Sequence, residues 1–148
     1  MRRMHLHVGV SDLNTSIAFY TGLFGAEPTV AKHDYAKWML DDPRVNFAIS
    51  ADHAGKGIEH VGIQAETLDE LGEIYGRLKA AGRPVLEEGA ATCCYAKSEK
   101  NWITDPDGVV WEAFLTTGES TIYGDALRVA SARTSLDTSA SCCVPKAA

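Results

Sequence analysis

The sequence predicts an α+β protein in which two tandem β-α-β-β-β modules join their strands in one curled, mixed sheet shaped like a cup. A strand-like stretch, a helical stretch and three short strand candidates follow one another, and the same order restarts near Ile58. The two runs align without a gap when His5 is set on His60, which brings Leu13 onto Leu68, Tyr20 onto Tyr75 and Leu23 onto Leu78. A chain of 148 residues suits one compact domain or two very small halves packed together. The expected domain is 1–118, with modules 1–53 and 58–118.

In module one, Met4 to Val10 alternates as a strand with His5 and His7 on one face and Leu6 and Val8 on the other. Ser11-Asp12 offers helix-start chemistry, and Leu13, Ile17, Tyr20 and Phe24 recur at helical spacing up to Gly25. Strand candidates then lie near 29–32, 35–40 and 45–50. The glycine-bearing connector from Asp52 to Gly57 leads into a second strand from Ile58 to Ala65. A helix follows from Leu68 to Ala81, with Leu71, Ile74, Tyr75 and Leu78 on one face and Gly82 and Pro84 as its stop. The remaining strand candidates are 85–87, 92–96 with 101–104, and 109–115. Asp105-Pro106-Asp107-Gly108 has the residues of a reversing turn. Residues 119–148, rich in Ser, Thr, Ala and Gly without a period, are expected to form a flexible tail ending in Cys142-Cys143.

A net charge of -6 with scattered Lys and Arg argues against a nucleic-acid surface and favours a small-molecule protein. No run of about 18 apolar residues could span a bilayer, and the apolar start is too short for a secretory signal. Cytoplasmic location without membrane association is expected. The four cysteines form two adjacent pairs, Cys93-Cys94 and Cys142-Cys143, without the gap of a zinc knuckle. Paired thiols suit a soft, thiophilic species, although two small apolar neighbours are the bland alternative.

Glu112 stands on an apolar strand, where a buried carboxylate needs a partner. Pairing of the modules by their first strands would turn His5, His60 and Glu112 into the cup. Two imidazoles and one carboxylate form a facial triad suited to ferrous iron, with Zn, Mn, Ni or Co as other possible occupants. His7 lies on the same face as His5, and HVGV at His7 echoes HVGI at His60, so His7 stands as the alternative first ligand.

These residues carry a resemblance. HLHVGVSDLNTSIAFYTGLFGAEP and WITDPDGVVWEAF resemble the opening and the ending of the vicinal oxygen chelate superfamily, the glyoxalase, bleomycin-resistance and extradiol dioxygenase group. TCCYAKSEKNWI resembles the organoarsenical carbon-arsenic lyases and the related cadmium-induced proteins. The resemblance implies the vicinal oxygen chelate fold, iron at His5, His60 and Glu112, and a trivalent organoarsenical held by Cys93 and Cys94. The last strand of module one, VNFAIS, offers no carboxylate as a fourth ligand, which favours the oxygen-dependent branch over isomerisation. The implied activity is iron- and dioxygen-dependent cleavage of methylarsonous acid or trivalent aromatic arsenicals to arsenite. The alternatives are a non-catalytic thiol protein for cadmium or arsenite, and an ordinary glyoxalase or dioxygenase-type metalloenzyme. Both monomer and homodimer are compatible with the group. The cysteine segment is expected to be a loop or strand end, mobile before substrate binds, with residues 97–100 as its polar flank, because adjacent side chains on a regular strand point apart.

Overall fold

The computed structural model describes residues 1–51, 55–82 and 85–124. The elements run β1 (Arg3–Gly9), α1 (Leu13–Phe24), β2 (Val30–Ala31), β3 (Tyr35–Asp41), β4 (Arg44–Ser50), β5 (Gly57–Ala65), α2 (Leu68–Ala80), β6 (Val85–Cys93), β7 (Ala96–Thr104) and β8 (Val110–Glu119). They repeat β-α-β-β-β twice and form one curled mixed sheet in the order β2-β3-β4-β1-β5-β8-β7-β6. The modules join where β1 pairs antiparallel with β5, and each opening strand also pairs in parallel with the last strand of its own module.

Both helices start where the chain offers a cap. Asp12 Oδ1 accepts from the Thr15 N–H at 2.7 Å, and Thr67 Oγ1 accepts from the Glu70 N–H at 3.2 Å. Helix α1 ends on Gly25 in the left-handed conformation. Its inner stripe covers a core of Leu13, Ala36, Trp38, Phe47 and Ile49. Helix α2 packs Leu71 and Ile74 on Ala65 and Ala113. Burying each large side chain of this kind contributes roughly 1.5–3 kcal/mol. Because these apolar residues take the outer face of the sheet, the alternating inner face is free to carry His5, His60 and Glu112 among the rings of Tyr35, Trp102 and Phe114.

Two expectations are corrected. The predicted strand over 92–96 is instead the tip of a long hairpin: β6 runs on to Cys93, β7 starts at Ala96, and only Cys94-Tyr95 lie between them. The polar flank expected at 97–100 belongs to β7, with Ser98 and Lys100 buried, because alternate positions of that strand face the cup. Glu119 closes β8 opposite Ala96, and Tyr123 is buried with Tyr35 and Ala48. Pro84 and the tail cysteines Cys142 and Cys143 lie outside the described residues. Among the described residues, no helix is long and apolar enough to cross a membrane.

Candidate functional site

One row of inward side chains crosses the middle of the sheet. Register places Asn46 of β4 beside His5 of β1, His5 beside Gly62 of β5, Gly62 beside Glu112 of β8, and Glu112 beside Trp102 of β7. His60 stands two residues from Gly62, on the same face. Gly62 permits the close approach: a Cβ there would lie 2.5 Å from the Glu112 carbonyl oxygen.

The structure brings His5, His60 and Glu112 together, all of them buried. His5 Nδ1 donates to the Asn46 carbonyl at 3.0 Å, which leaves Nε2 with its lone pair. That Nε2 lies 3.2 Å from His60 Nε2, and Glu112 Oε2 stands 3.8 Å from the first and 3.6 Å from the second. The other carboxylate oxygen, Oε1, accepts from Lys100 Nζ at 2.6 Å. Burial is the largest influence on Glu112 and opposes its charge, but Lys100 and then the imidazoles outweigh it and hold the carboxyl well below its usual range. Burial likewise opposes charge on Lys100, and the Glu112 carboxylate overcomes it.

The two imidazoles are driven apart. Burial and the charge of His60 lower His5 to about 4. On His60 burial also works against the charge, but Glu112 and Glu59 prevail and raise it to about 9. Glu59 Oε2 is 3.5 Å from His60 Nδ1, close enough to attract a proton onto the ring but without hydrogen-bond geometry. The free polar atoms of His5, His60 and Glu112 thus converge on one point. Imidazole–metal bonds of about 2.0–2.1 Å put two nitrogens on one ion roughly 3 Å apart, so the donor set fits a divalent metal.

Donor atoms of His5, His7 and His60 also fall within 4.8 Å of one another. Both nitrogens of His7 already face protein groups, however. Its Nε2 is 2.9 Å from Ser50 Oγ, and its Nδ1 is 3.4 Å from Glu59 Oε2. His5 thus keeps Nε2 toward His60, whereas His7 Nε2 meets Ser50.

Cys93 and Cys94 open onto the same cavity, of about 710 Å³ with its mouth included, as His5, His60 and Glu112. They are free thiols with their sulfurs 3.2 Å apart, beyond the roughly 2.05 Å of a disulfide. Thiolate–metal bonds of about 2.3 Å would set two sulfurs on one soft centre roughly 3–4 Å apart. The convergence comes from the turn. Cys94 has φ 55° and Tyr95 φ 61°, the left-handed pair of a two-residue hairpin, and this departure from extension swings adjacent side chains together. Hydrogen bonding with Cys94 lowers the Cys93 thiol, and the same contact together with burial raises Cys94, so the pair gives up one proton more readily than two.

Sequence reasoning missed Lys100 and Tyr123, both of which line the cavity. Lys100 was legible only as part of the alternation Ser98, Lys100, Trp102; Tyr123 gave no periodic signal.

A family model described as the Glyoxalase/Bleomycin resistance protein/Dioxygenase superfamily matches residues 2–113. A relative from Bacillus subtilis (strain 168), named probable trivalent organoarsenical cleaving enzyme, is 40% identical over 124 residues, covering 82% of this chain and 85% of its own. The cadmium-induced protein CadI of Mycobacterium bovis is 32% identical over 130 residues, covering 86% and 85%. Among solved structures, the Mn(II)-bound glyoxalase from Novosphingobium aromaticivorans matches with a TM-score of 0.56 at 21% identity, over 81% of this chain and 42% of that one. With the family model spanning most of its length, the chain belongs to the Glyoxalase/Bleomycin resistance protein/Dioxygenase superfamily.

Proposed function

We propose that this protein is a carbon-arsenic lyase that converts trivalent organoarsenicals, methylarsonous acid or trivalent aromatic arsenicals, to arsenite with ferrous iron and dioxygen. The observation that carries the reading is that a dithiol and a His-His-Glu donor set open onto one cavity. His5, His60 and Glu112 would hold the iron. When bound, ferrous iron supplies the reducing equivalents and open coordination positions that oxygen-dependent cleavage needs.

The chain's own residues do the rest. Cys93 and Cys94 each form a sulfur-arsenic bond, and the two thiol protons leave with the two arsenic-bound hydroxides as water. Two sulfurs fix the carbon-arsenic bond in one orientation, so that an encounter becomes an ordered reaction. Lys100 keeps Glu112 charged and occupies Oε1, leaving Oε2 toward the imidazoles. Tyr35, Trp102 and Phe114 wall the cavity and reduce its water. Sequestration of arsenite or cadmium by the thiols without catalysis is the second reading, favoured by the cadmium-induced relative.

Incubation with methylarsonous acid and ferrous iron, in air and under argon, separates the two. The lyase releases arsenite only with both iron and oxygen. Cys93→Ser and Cys94→Ser each end turnover while ferrous binding persists. Stoichiometric capture without arsenite release supports sequestration. Cleavage at the parent rate by the double-serine variant would sink the lyase reading.

A further inference from the structure

Past Glu119 the chain stays on the molecule. The Ser120 N–H donates to the Tyr95 carbonyl at 2.8 Å, which ties the end of β8 to the β6–β7 turn. The Ser120 hydroxyl then turns the chain by accepting from the Ile122 N–H at 3.2 Å and donating to the Ile122 carbonyl at 3.1 Å. Gly124 bridges antiparallel to Cys93. A Cβ on Gly124 would stand 2.1 Å from the Thr92 carbonyl oxygen, and its φ is +89°, so only glycine fits there. Residues 120–124 form a strap fastened at Tyr95 and Cys93, on either side of Cys94.

The strap delivers Tyr123 into the cavity. Its ring packs against Tyr35 at 6.0 Å and Tyr95 at 5.7 Å between centroids. Tyr123 is buried in one cluster with Cys94, and both line the cavity, where its hydroxyl interacts with the Ser50 hydroxyl and the Cys94 thiol. Ser50 Oγ also meets His7 Nε2 at 2.9 Å, and His7 Nδ1 lies 4.0 Å from Cys94 Sγ. Cys94, Tyr123, Ser50 and His7 thus close a ring of polar contacts beside the dithiol.

We propose that Tyr123 is a positioning residue for arsenic capture, its hydroxyl donating to the Cys94 sulfur and receiving from Ser50, so that this sulfur is held facing Cys93. The inference rests on Cys93 and Cys94 being the arsenic-binding thiols. Of the two sulfurs, Cys94 is the more enclosed by aromatic rings, and there a donor favours the anionic form that binds a soft centre. The phenol keeps its proton throughout, since both thiol protons depart in the two waters. The donor remains on a sulfur lone pair that arsenic does not use.

The test compares the full-length parent with Tyr123→Phe and Ser50→Ala, using phenylarsine oxide as the probe. Tyr123→Phe retains the packed ring, so the circular dichroism of the folded state and ferrous binding stay at parent values. It should weaken phenylarsine oxide binding roughly tenfold, the effect of losing one charge-assisted hydrogen bond. Iodoacetamide labelling of Cys94, read by mass spectrometry from neutral to alkaline pH, should move to higher pH. Ser50→Ala should move both readouts in the same direction by less. A Tyr123→Phe protein indistinguishable from the parent in binding and in the labelling profile overturns the proposal. If the parent itself fails to bind phenylarsine oxide, the lyase function falls, whereas the labelling profile still decides whether Tyr123 positions the thiol.

Discussion

Replacing Lys100 by Met removes one partner of a buried ion pair at the centre of the site. Lys100 is 5% exposed and Glu112 4%, with Nζ 2.6 Å from Oε1. Removing one partner of such a pair costs roughly 3–5 kcal/mol, because the other charge is left without compensation. A protonated His60, 3.6 Å from Oε2, gives Glu112 a second cation. The metal-free variant should therefore lose about 3 kcal/mol, the lower end of that range. Urea unfolding of the chelator-treated full chain at neutral pH reads this as a lower midpoint with an unchanged slope. The Lys100 ammonium and the imidazoles hold Glu112 below the ordinary carboxylate value of 4.5. The stability it contributes is thus fully present above that value and lost as pH falls through the folded one. The gap between parent and variant should be widest at neutral pH and close on acidification. A loss under about 1 kcal/mol, or a gap that widens in acid, would refute the assignment of Lys100 as the partner of Glu112.

His5→Ala and His60→Ala should each abolish ferrous binding, whereas His7→Ala should retain it and lose only affinity for arsenicals, because Ser50 and Glu59 already face both His7 nitrogens. Ferrous titration of the three variants checks this, and loss in His7→Ala with none in His5→Ala would reverse the choice of donor. Truncation after Thr117 should lower stability by about 1.5–3 kcal/mol, the contribution of one buried aromatic side chain such as Tyr123, measured by thermal unfolding. An unchanged midpoint would mean that Tyr123 contributes nothing to the fold.

The repeat was legible because its signals are local. Asp12 and Thr67 stand at equivalent places in the two runs, and both cap a helix beginning at the next residue. The inward turn of His5, His60 and Glu112 was legible from alternation once the modules were joined by their first strands. That the cysteine segment is a strand end was legible from the divergence of adjacent side chains, but the two-residue turn was not, because Cys94 and Tyr95 adopt positive φ without the glycine, asparagine or aspartate that announces it. Lys100 hid in a polar run because a lysine facing inward is stable only beside a carboxylate, and that neighbour is set by the β7–β8 register. Tyr123 is one aromatic in a stretch without period, so its burial depends entirely on what the strap crosses. Strand alternation places His5 and His7 on one face and does not choose between them.

The donor set is drawn from the first, fifth and eighth strands, and this orders events on a nascent chain. When module one has emerged, β3 and β4 can pair, β1 can join β4 and α1 can cover them, yet the fragment offers a single imidazole from the triad and no chelate. If these three residues hold a metal, it would be chelated only after β5 has docked and β8 has brought its carboxylate. Until then β1 presents an open edge whose backbone groups await β5. Two polysomal neighbours that exchanged this pairing would each supply the other's missing strand, and would assemble the same three donors across two polypeptides.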